Sequence, residues 1–449
     1  MSKQRIQLSD HFTYSRLLRF VLPCIGTMLF TSIYGIVDGL CVSNFVGKTA
    51  FAAVNLIMPL PMLLGTIGFM LGTGGSAIVG ITLGEGDQKK ADRYFTLFLL
   101  AALISVSVLA VLGIVFLRPI AVLLGAKGEL LDYAVRYGRI LMVSLPTFAL
   151  QNMFQSFFVT AEKPHLGFWF TVGAGCTNMV LDVLMVGIWG WGVEGAAIAT
   201  FISQLVGGVL PVFYFIDRSN SSRLHLCKTS FYSKVLRDAC INGSSELMTN
   251  LSMSLVNILY NYQLLRFAGE NGVAAYGVIM YAAFLFVAVF VGYAVGSAPI
   301  VSYHYGARNH AELNNLYSKS LRLIGVIAVV MTALSMLVIP YVARIFVGYD
   351  AELLALTSHA FRVYALNFFL MGFNVYGSSF FTALGDGVTS ALISFLRTLL
   401  FQLLALIFLP MVLGIEGVWL AITAAELAAL VVTVYMFITK DKVFHYRNV

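Results

Sequence analysis

The chain has 449 residues, 59% hydrophobic and 11% charged, with a net charge of +7 and a mean hydropathy of +0.87. No ordinary soluble domain has such a composition, so the sequence reads as a polytopic membrane protein. The excess of Lys and Arg does not require a nucleic-acid partner, because basic residues flanking membrane spans follow from the positive-inside rule.

Apolar stretches at residues 17–45, 51–81, 94–116, 133–158, 166–189 and 195–215 predict six spans, and 235–267, 273–303, 321–346, 353–381, 388–413 and 417–438 predict six more. Each is long enough to cross a hydrocarbon core of about 30 Å at about 1.5 Å per residue. The first follows Lys3, Arg5, Arg16 and Arg19 as a signal peptide would, but it runs too long, carries Asp38 and lacks a small-residue cleavage site. It is read as a retained span. Pro23 within it removes a backbone hydrogen bond and clashes one turn back, which makes it a natural bend site.

The longest polar stretch, residues 217–234, leaves no room for a soluble domain. Cys24, Cys41, Cys176, Cys227 and Cys240 form no CxxC pair, so neither a disulfide framework nor a metal knuckle is indicated. With the N-terminus inside, the inner segments hold about nineteen Lys and Arg against about eight outside. Both termini are therefore expected in the cytoplasm, with the chain a multi-pass protein of the cytoplasmic (inner) membrane.

A shift of 222 residues aligns Phe45 with Phe267, Gly47 with Gly269, Gly84 with Gly306, Asn152 with Asn374, Thr160-Ala161 with Thr382-Ala383, and Gly192, Glu194 and Gly195 with Gly414, Glu416 and Gly417. One offset held over so many spans predicts a duplicated six-helix unit. Six is even, so both halves insert in the same orientation about an axis along the membrane normal, as in parallel-repeat transporters with a cavity between halves. The division expected is residues 1–222 and 223–449, joined by a cytoplasmic linker at 217–234.

Ionised side chains inside lipid are costly and rare. Asp38 lies about seven residues before the outer end of span 1, and Asp182 about seven before that of span 5, which puts each roughly 10 Å below the surface. Asn178 sits four residues before Asp182 on the same face, and Thr200 in span 6 has a similar depth. At the repeat offset these four become Tyr260, Leu400, Leu404 and Ile422, so the fold can be built without them. If spans 1, 5 and 6 adjoin, the four form one polar pocket. Two carboxylates in a partly dehydrated pocket cannot both carry charge cheaply, and one proton or one cation relieves the strain. Asp, Asn and Thr oxygens suit a hard cation, which leaves H⁺ and Na⁺ both open.

Other polar residues have two readings. Glu246 in NGSSELMTN is a second ion or substrate contact, or a structural hydrogen-bonding group. Glu426 faces Gln204 in the repeat and favours helix packing. Arg397 snorkels or pairs with a carboxylate. Tyr34, Tyr137 and Asn152 are candidate pocket-lining residues, although aromatics more often face lipid or the interface. An enzyme is disfavoured, because no histidine makes an HExxH spacing, and no GxxxxGK[ST] loop supplies ATP. A flippase for a lipid-linked anionic sugar would want more basic residues in its central spans than Arg397 alone.

The segments VDGLCVSNFVGKTAFAAVN, NMVLDVLMVGIWGWGVEGAAIAT and FFTALGDGVTSALISFLRTLL with LGIEGVWLA resemble the MATE (multidrug and toxic compound extrusion) transporters, nearest to their prokaryotic DinF/MepA-like branch. The resemblance spans nearly the whole chain. It implies an all-α protein of two V-shaped six-helix lobes that alternates between outward- and inward-open forms and exports amphipathic, usually cationic, compounds against H⁺ or Na⁺. Asp38 matches the span 1 coupling carboxylate, with Asn178, Asp182 and Thr200 its partners in an N-lobe cation site, which would be the metal ligands under Na⁺ coupling. Pro23 matches the proline at which that helix is proposed to bend, and Tyr34, Tyr137 and Asn152 match the pocket lining. Glu246 lies outside the motif of the branch that couples through its C-lobe. The resulting expectation is a monomeric, cation-coupled exporter embedded in lipid, with no cofactor beyond the coupling ion. The alternatives are a flippase of the same superfamily for a lipid-linked saccharide and an exporter of an endogenous metabolite.

Overall fold

The structure, a computed structural model, describes the chain from residue 6 to residue 447, with the side chains of residues 39–44, 48 and 51 excepted. Lys3, Arg5 and the Cys41 side chain lie outside the described residues. Every regular element described is helical: α1 (Tyr14–Phe45), α2 (Lys48–Ile57), α3 (Pro59–Gly84), α4 (Gln88–Leu123), α5 (Gly128–Thr160), α6 (Pro164–Asp182), α7 (Gly192–Gly208), α8 (Leu210–Ile216), α9 (Ser233–Asn242), α10 (Ser244–Gly306), α11 (His310–Val347), α12 (Ala351–Ala365), α13 (Phe368–Ala383), α14 (Gly387–Phe395), α15 (Phe401–Leu413), α16 (Ile415–Thr439) and α17 (Asp441–Phe444). Two π-helical segments, Val183–Ile188 and Leu396–Leu400, follow α6 and α14.

Among the described residues nine helices are long and apolar enough to cross a membrane, or ten if α12 and α13, bent by 46°, form one broken span. The twelve spans are recovered by two further facts. The 63-residue α10 changes direction at Gly269 (φ 59°, ψ −148°), a conformation open only to glycine, and so comprises two spans. The 33-residue α5 is long enough to cross, although it carries charged residues near its start. The repeat keeps its glycines for the same reason: Gly47 pairs with Gly269 and Gly192 with Gly414, all four at positive φ. Lipid-facing surface is legible on α4, where Ile104, Val108, Val111 and Val115 are exposed at helical spacing.

Some boundaries differ from those expected. Span 2 divides at Met58, where Pro59 and Pro61 each lack an amide donor. Span 7 begins at Ser244 rather than at residue 235. The preceding α9 is a separate amphipathic helix whose Ala239 packs with the first half. It stops at Gly243, where a Cβ would lie 1.9 Å from the Met70 carbonyl oxygen.

The core is partitioned as a two-lobe protein requires. One cluster is built only from α10 to α16, and three others lie almost wholly in the first half. A fifth joins the halves near the face that carries both termini, bringing Leu8, Phe12 and Val21 together with Val159, Ile300 and Leu313. Beside it α3 crosses the second part of α10 without side chains in the way. A Cβ on Gly84 would lie 2.0 Å from the Tyr303 carbonyl oxygen, and one on Gly306 would lie 2.0 Å from the Ile81 carbonyl oxygen. Gly84 and Ile81 are the repeat equivalents of Gly306 and Tyr303. The crossing is therefore symmetric about the axis that relates the halves.

Candidate functional site

Helix α1 presents Phe30, Tyr34 and Asp38 at intervals of four, and α6 presents Gly175, Asn178 and Asp182 at three and four. These spacings put each trio on one face. Gly175 sets how close the faces come, since a Cβ there would lie 2.5 Å from the Phe30 ring and 3.3 Å from Tyr34 Cδ1. One turn farther along, the side chains of Asp38, Asn178 and Asp182 are within interaction range of one another. The Tyr137 ring of α5 lies within electrostatic reach of both carboxylates, and Tyr34 within reach of Asp38.

The cluster is largely buried, and most of its side-chain polar atoms are unpaired among the described residues. Asp182, Asn178 and Tyr137 are almost fully buried, and Asp38 is half-buried. Among the described residues, Asp38 Oδ1, both Asp182 oxygens, and Asn178 Oδ1 and Nδ2 have no hydrogen-bond partner. Unpaired buried polar atoms cost free energy, and an unpaired buried carboxylate costs several kcal/mol. A proton bound to one carboxylate would make it a donor to the other, and a small hard cation could accept oxygens from all three residues. Immediately after Asp182 the helix widens into its π-helical segment, in which Trp189 N donates to the Leu184 carbonyl at 2.8 Å. Such segments recur at functional sites, and nothing in the local sequence signals this one.

The remaining candidates fall in different places. The Thr200 hydroxyl on α7 donates to the Ala196 carbonyl at 3.0 Å, and among the described residues no hydrogen bond joins it to the carboxylates. Helix α1 is unbroken through Pro23, whose carbonyl accepts a hydrogen bond from the Thr27 hydroxyl at 2.9 Å. Asn152 is buried in α5, with its Nδ2 unpartnered among the described residues. Glu246 stands apart from these residues, in the wall of a cavity of about 550 Å³ bounded mainly by the second half and closed on one side by α3. Arg397, Asn250, Met253 and Tyr260 share that wall, whereas Asp38, Tyr34, Tyr137 and Asn152 do not.

The second half answers the same polar problem internally. Arg397 Nε donates to Glu426 Oε1 at 2.7 Å, and Asn374 Nδ2 donates to Glu426 Oε2 at 2.7 Å and to the Glu426 carbonyl at 2.9 Å. The Thr433 hydroxyl closes the network on Asn374 Oδ1 at 2.9 Å. Arg397 thus pairs with a carboxylate rather than snorkelling, and Glu426 does more than pack. Asn374 and Glu426 are the repeat equivalents of Asn152 and Gln204. One half carries its counter-cation covalently, and in the other no cation pairs with Asp38 or Asp182 among the described residues.

A family model described as MatE matches residues 23–184 and again 247–407, one copy in each half. The chain is 21% identical over 433 residues to the multidrug export protein MepA of Staphylococcus saprophyticus, covering 96% of this chain and 94% of that one. It is 22% identical over 432 residues to MepA of Staphylococcus aureus strain MSSA476, with the same coverage. A solved structure described as the outward-facing conformation of a multidrug resistance MATE family transporter superposes with a TM-score of 0.92 at 24% identity, covering 99% of each chain.

Proposed function

The chain belongs to the MatE family of transporters, and from that premise we propose that it is a secondary active exporter of amphipathic, cationic compounds, driven by inward movement of H⁺ or Na⁺. The observation that carries this reading is the half-buried Asp38 beside the buried Asp182 and Asn178, with Asp38 Oδ1 and both Asp182 oxygens lacking hydrogen-bond partners among the described residues. Loading of this pocket by a cation stabilises one arrangement of α1 against α6, and release of the cation frees it. Asp38, Asn178 and Asp182 hold the ion, and Thr200 joins them by a rotamer change. Tyr34 and Tyr137 exclude water, Pro23 lets α1 bend, and Asn152 lines the adjoining space. Glu246 in the separate cavity contacts cargo.

In this reading both termini are cytoplasmic, the ion site belongs to the lobe of residues 1–222, and the protein works as a monomer in the cytoplasmic membrane. Each charge entering down 100 mV contributes about 2.3 kcal/mol, and each pH unit about 1.4 kcal/mol. A singly charged cargo leaving as one proton enters moves no net charge. Voltage then cancels, and each pH unit supports about a tenfold cargo gradient. The flippase alternative is disfavoured because Arg397, the one Lys or Arg among the described residues lining the cavity, is held by Glu426.

The test is cargo efflux from proteoliposomes with a pH gradient and a Na⁺ gradient imposed separately. Wild type should follow one of the two, and Asp38→Asn should lose that response. Efflux indifferent to both gradients refutes antiport, and movement of a lipid-linked saccharide in the same vesicles decides for the flippase.

A further inference from the structure

The residues ahead of α1 do not form a loose tail. Leu8 and Phe12 are fully buried, packed with Val159 of α5 and with Ile300, Leu313 and Leu316 of α10 and α11. Between them the segment lies across the seam between the halves, on the face that carries the termini. Two of its backbone amides are held by carboxylates: Leu8 N donates to Glu162 Oε1 at 3.0 Å, and Phe12 N donates to Glu312 Oε1 at 2.9 Å. Glu162 is in the turn between α5 and α6 of the first half, and Glu312 is in the first turn of α11 in the second. One glutamate from each lobe thus grips the same short strap, four residues apart.

Each grip is reinforced by further contacts. Glu162 Oε1 also accepts from Arg223 Nη1 at 2.6 Å, and that guanidinium lies 5.0 Å from the centre of the Tyr303 ring, which belongs to the opposite lobe. Glu162 holds this position at φ 60°, a left-handed conformation that a non-glycine residue adopts only at a cost. Glu312 Oε1 accepts from Asn315 Nδ2 at 2.7 Å, and its Oε2 contacts His11 Nδ1 at 2.6 Å. The Phe12 carbonyl takes Asn315 Nδ2 at 3.0 Å and Lys319 Nζ at 2.8 Å. The same Tyr303 brings its carbonyl to the glycine crossing of α3 and α10.

We propose that the strap of residues 6–13, with Glu162 and Glu312, is a clasp that holds the lobes together on this face, and that the two glutamates are positioning residues setting the balance between the two access states of the transport cycle. The inference rests on the exporter reading only for alternating access, and not on the identity of the coupling ion or cargo. Nothing in an isolated α5–α6 turn or an α11 N-terminus calls for a buried glutamate aimed at a distant backbone amide. Two of them on opposite lobes make sense as a bond across a seam that must open. Neutralising one glutamate leaves an amide oxygen that still accepts but removes the charge assistance, which shifts the balance roughly 5-fold toward separation, whereas losing such a bond altogether shifts it roughly 10- to 100-fold.

The experiment measures the distance between spin labels at Lys89 and Arg308, exposed on this face in the first and second halves, in protein whose native cysteines are replaced. Variants are Glu162→Gln, Glu312→Gln, the double variant, and a chain lacking residues 2–12. Conservative glutamine keeps the volume and folding is checked by size-exclusion elution. The expected result is a longer-distance population that grows from single to double variant and is largest without the strap, with cargo KM and turnover changing by different factors. Because the distances are read without gradient or cargo, failure of the antiport reading leaves them interpretable. Unchanged distance populations in all variants, with only a lower melting temperature, would show a merely structural role and overturn the proposal.

Discussion

Replacing Gly84 by alanine tests the symmetric crossing that closes the face bearing the termini. The new Cβ would lie 2.0 Å from the Tyr303 carbonyl oxygen and 2.8 Å from Ala307 N, backbone atoms that no rotamer change can move. Relief requires the helices to separate by about 1.4 Å before ordinary contact at 3.4 Å is regained. Overpacking of this kind costs about 1 to 3 kcal/mol, and the cost falls only on the state in which the helices cross. The gain in helix propensity of up to about 1 kcal/mol applies in both states and cancels from their balance. The closed form should therefore lose roughly 5- to 150-fold in population without a matching fall in melting temperature. The pseudo-twofold relation adds a sharper expectation. Gly306→Ala meets the Ile81 carbonyl at the same 2.0 Å, so it should act alike, and the double variant should cost little more than either single, because one separation accommodates both methyls. The assay is the rate at which a membrane-impermeant maleimide, applied to this face, labels a lone cysteine at Ser379 in the cavity wall. Labelling rates at the wild-type level in both single variants, or strictly additive effects in the double, would refute the argument.

The Arg397–Glu426 pair is buried with side-chain exposures of 12% and 0%; Arg397→Leu should therefore destabilise the second lobe by about 3 to 5 kcal/mol in denaturant titration, and Arg397→Leu/Glu426→Leu should recover much of that loss. At the end of the second lobe that carries the C-terminus, burial raises the Asp386 pKa, but Lys440 Nζ at 2.7 Å and the Thr389 hydroxyl and amide outweigh it and hold the carboxyl below its ordinary range. A lowered pKa contributes stability that is full above the unfolded value of about 4 and is lost as pH falls through the folded value. Melting temperature should accordingly fall below about pH 4, and Lys440→Met should flatten that limb.

Reading by hydropathy and period located the spans, because lipid imposes length and apolarity on each segment independently of its neighbours. The repeat was legible for the same reason: an offset of 222 pairs glycines that share a local requirement, positive φ at Gly47 and Gly269 or close approach at Gly84 and Gly306. Depth along the span placed Asp38 and Asp182 at one level. What depth cannot supply is rotation about the helix axis and the choice of neighbour. Arg397 looked as fit to snorkel as to pair, and only the packing of α14 and its π-helical continuation against α16 brings it onto Glu426. The Thr200 hydroxyl has the right depth but is engaged by its own helix.

Glu162 and Glu312 are ordinary loop and helix-start acids in the sequence, and residues 6–13 have the composition of a tail. Their partners lie 154 and 300 positions away. The sequence by itself determined a duplicated twelve-span membrane protein and the helices on which its carboxylates sit, since these follow from local composition in a solvent of known thickness. Tertiary structure alone decided which polar groups meet: the Asp38–Asp182 cluster left open, the Glu426 carboxylate closed by Arg397, and the strap pinned across the seam. Contacts between distant segments are set by interlocking shape and crossing angle, and no local run of residues encodes those.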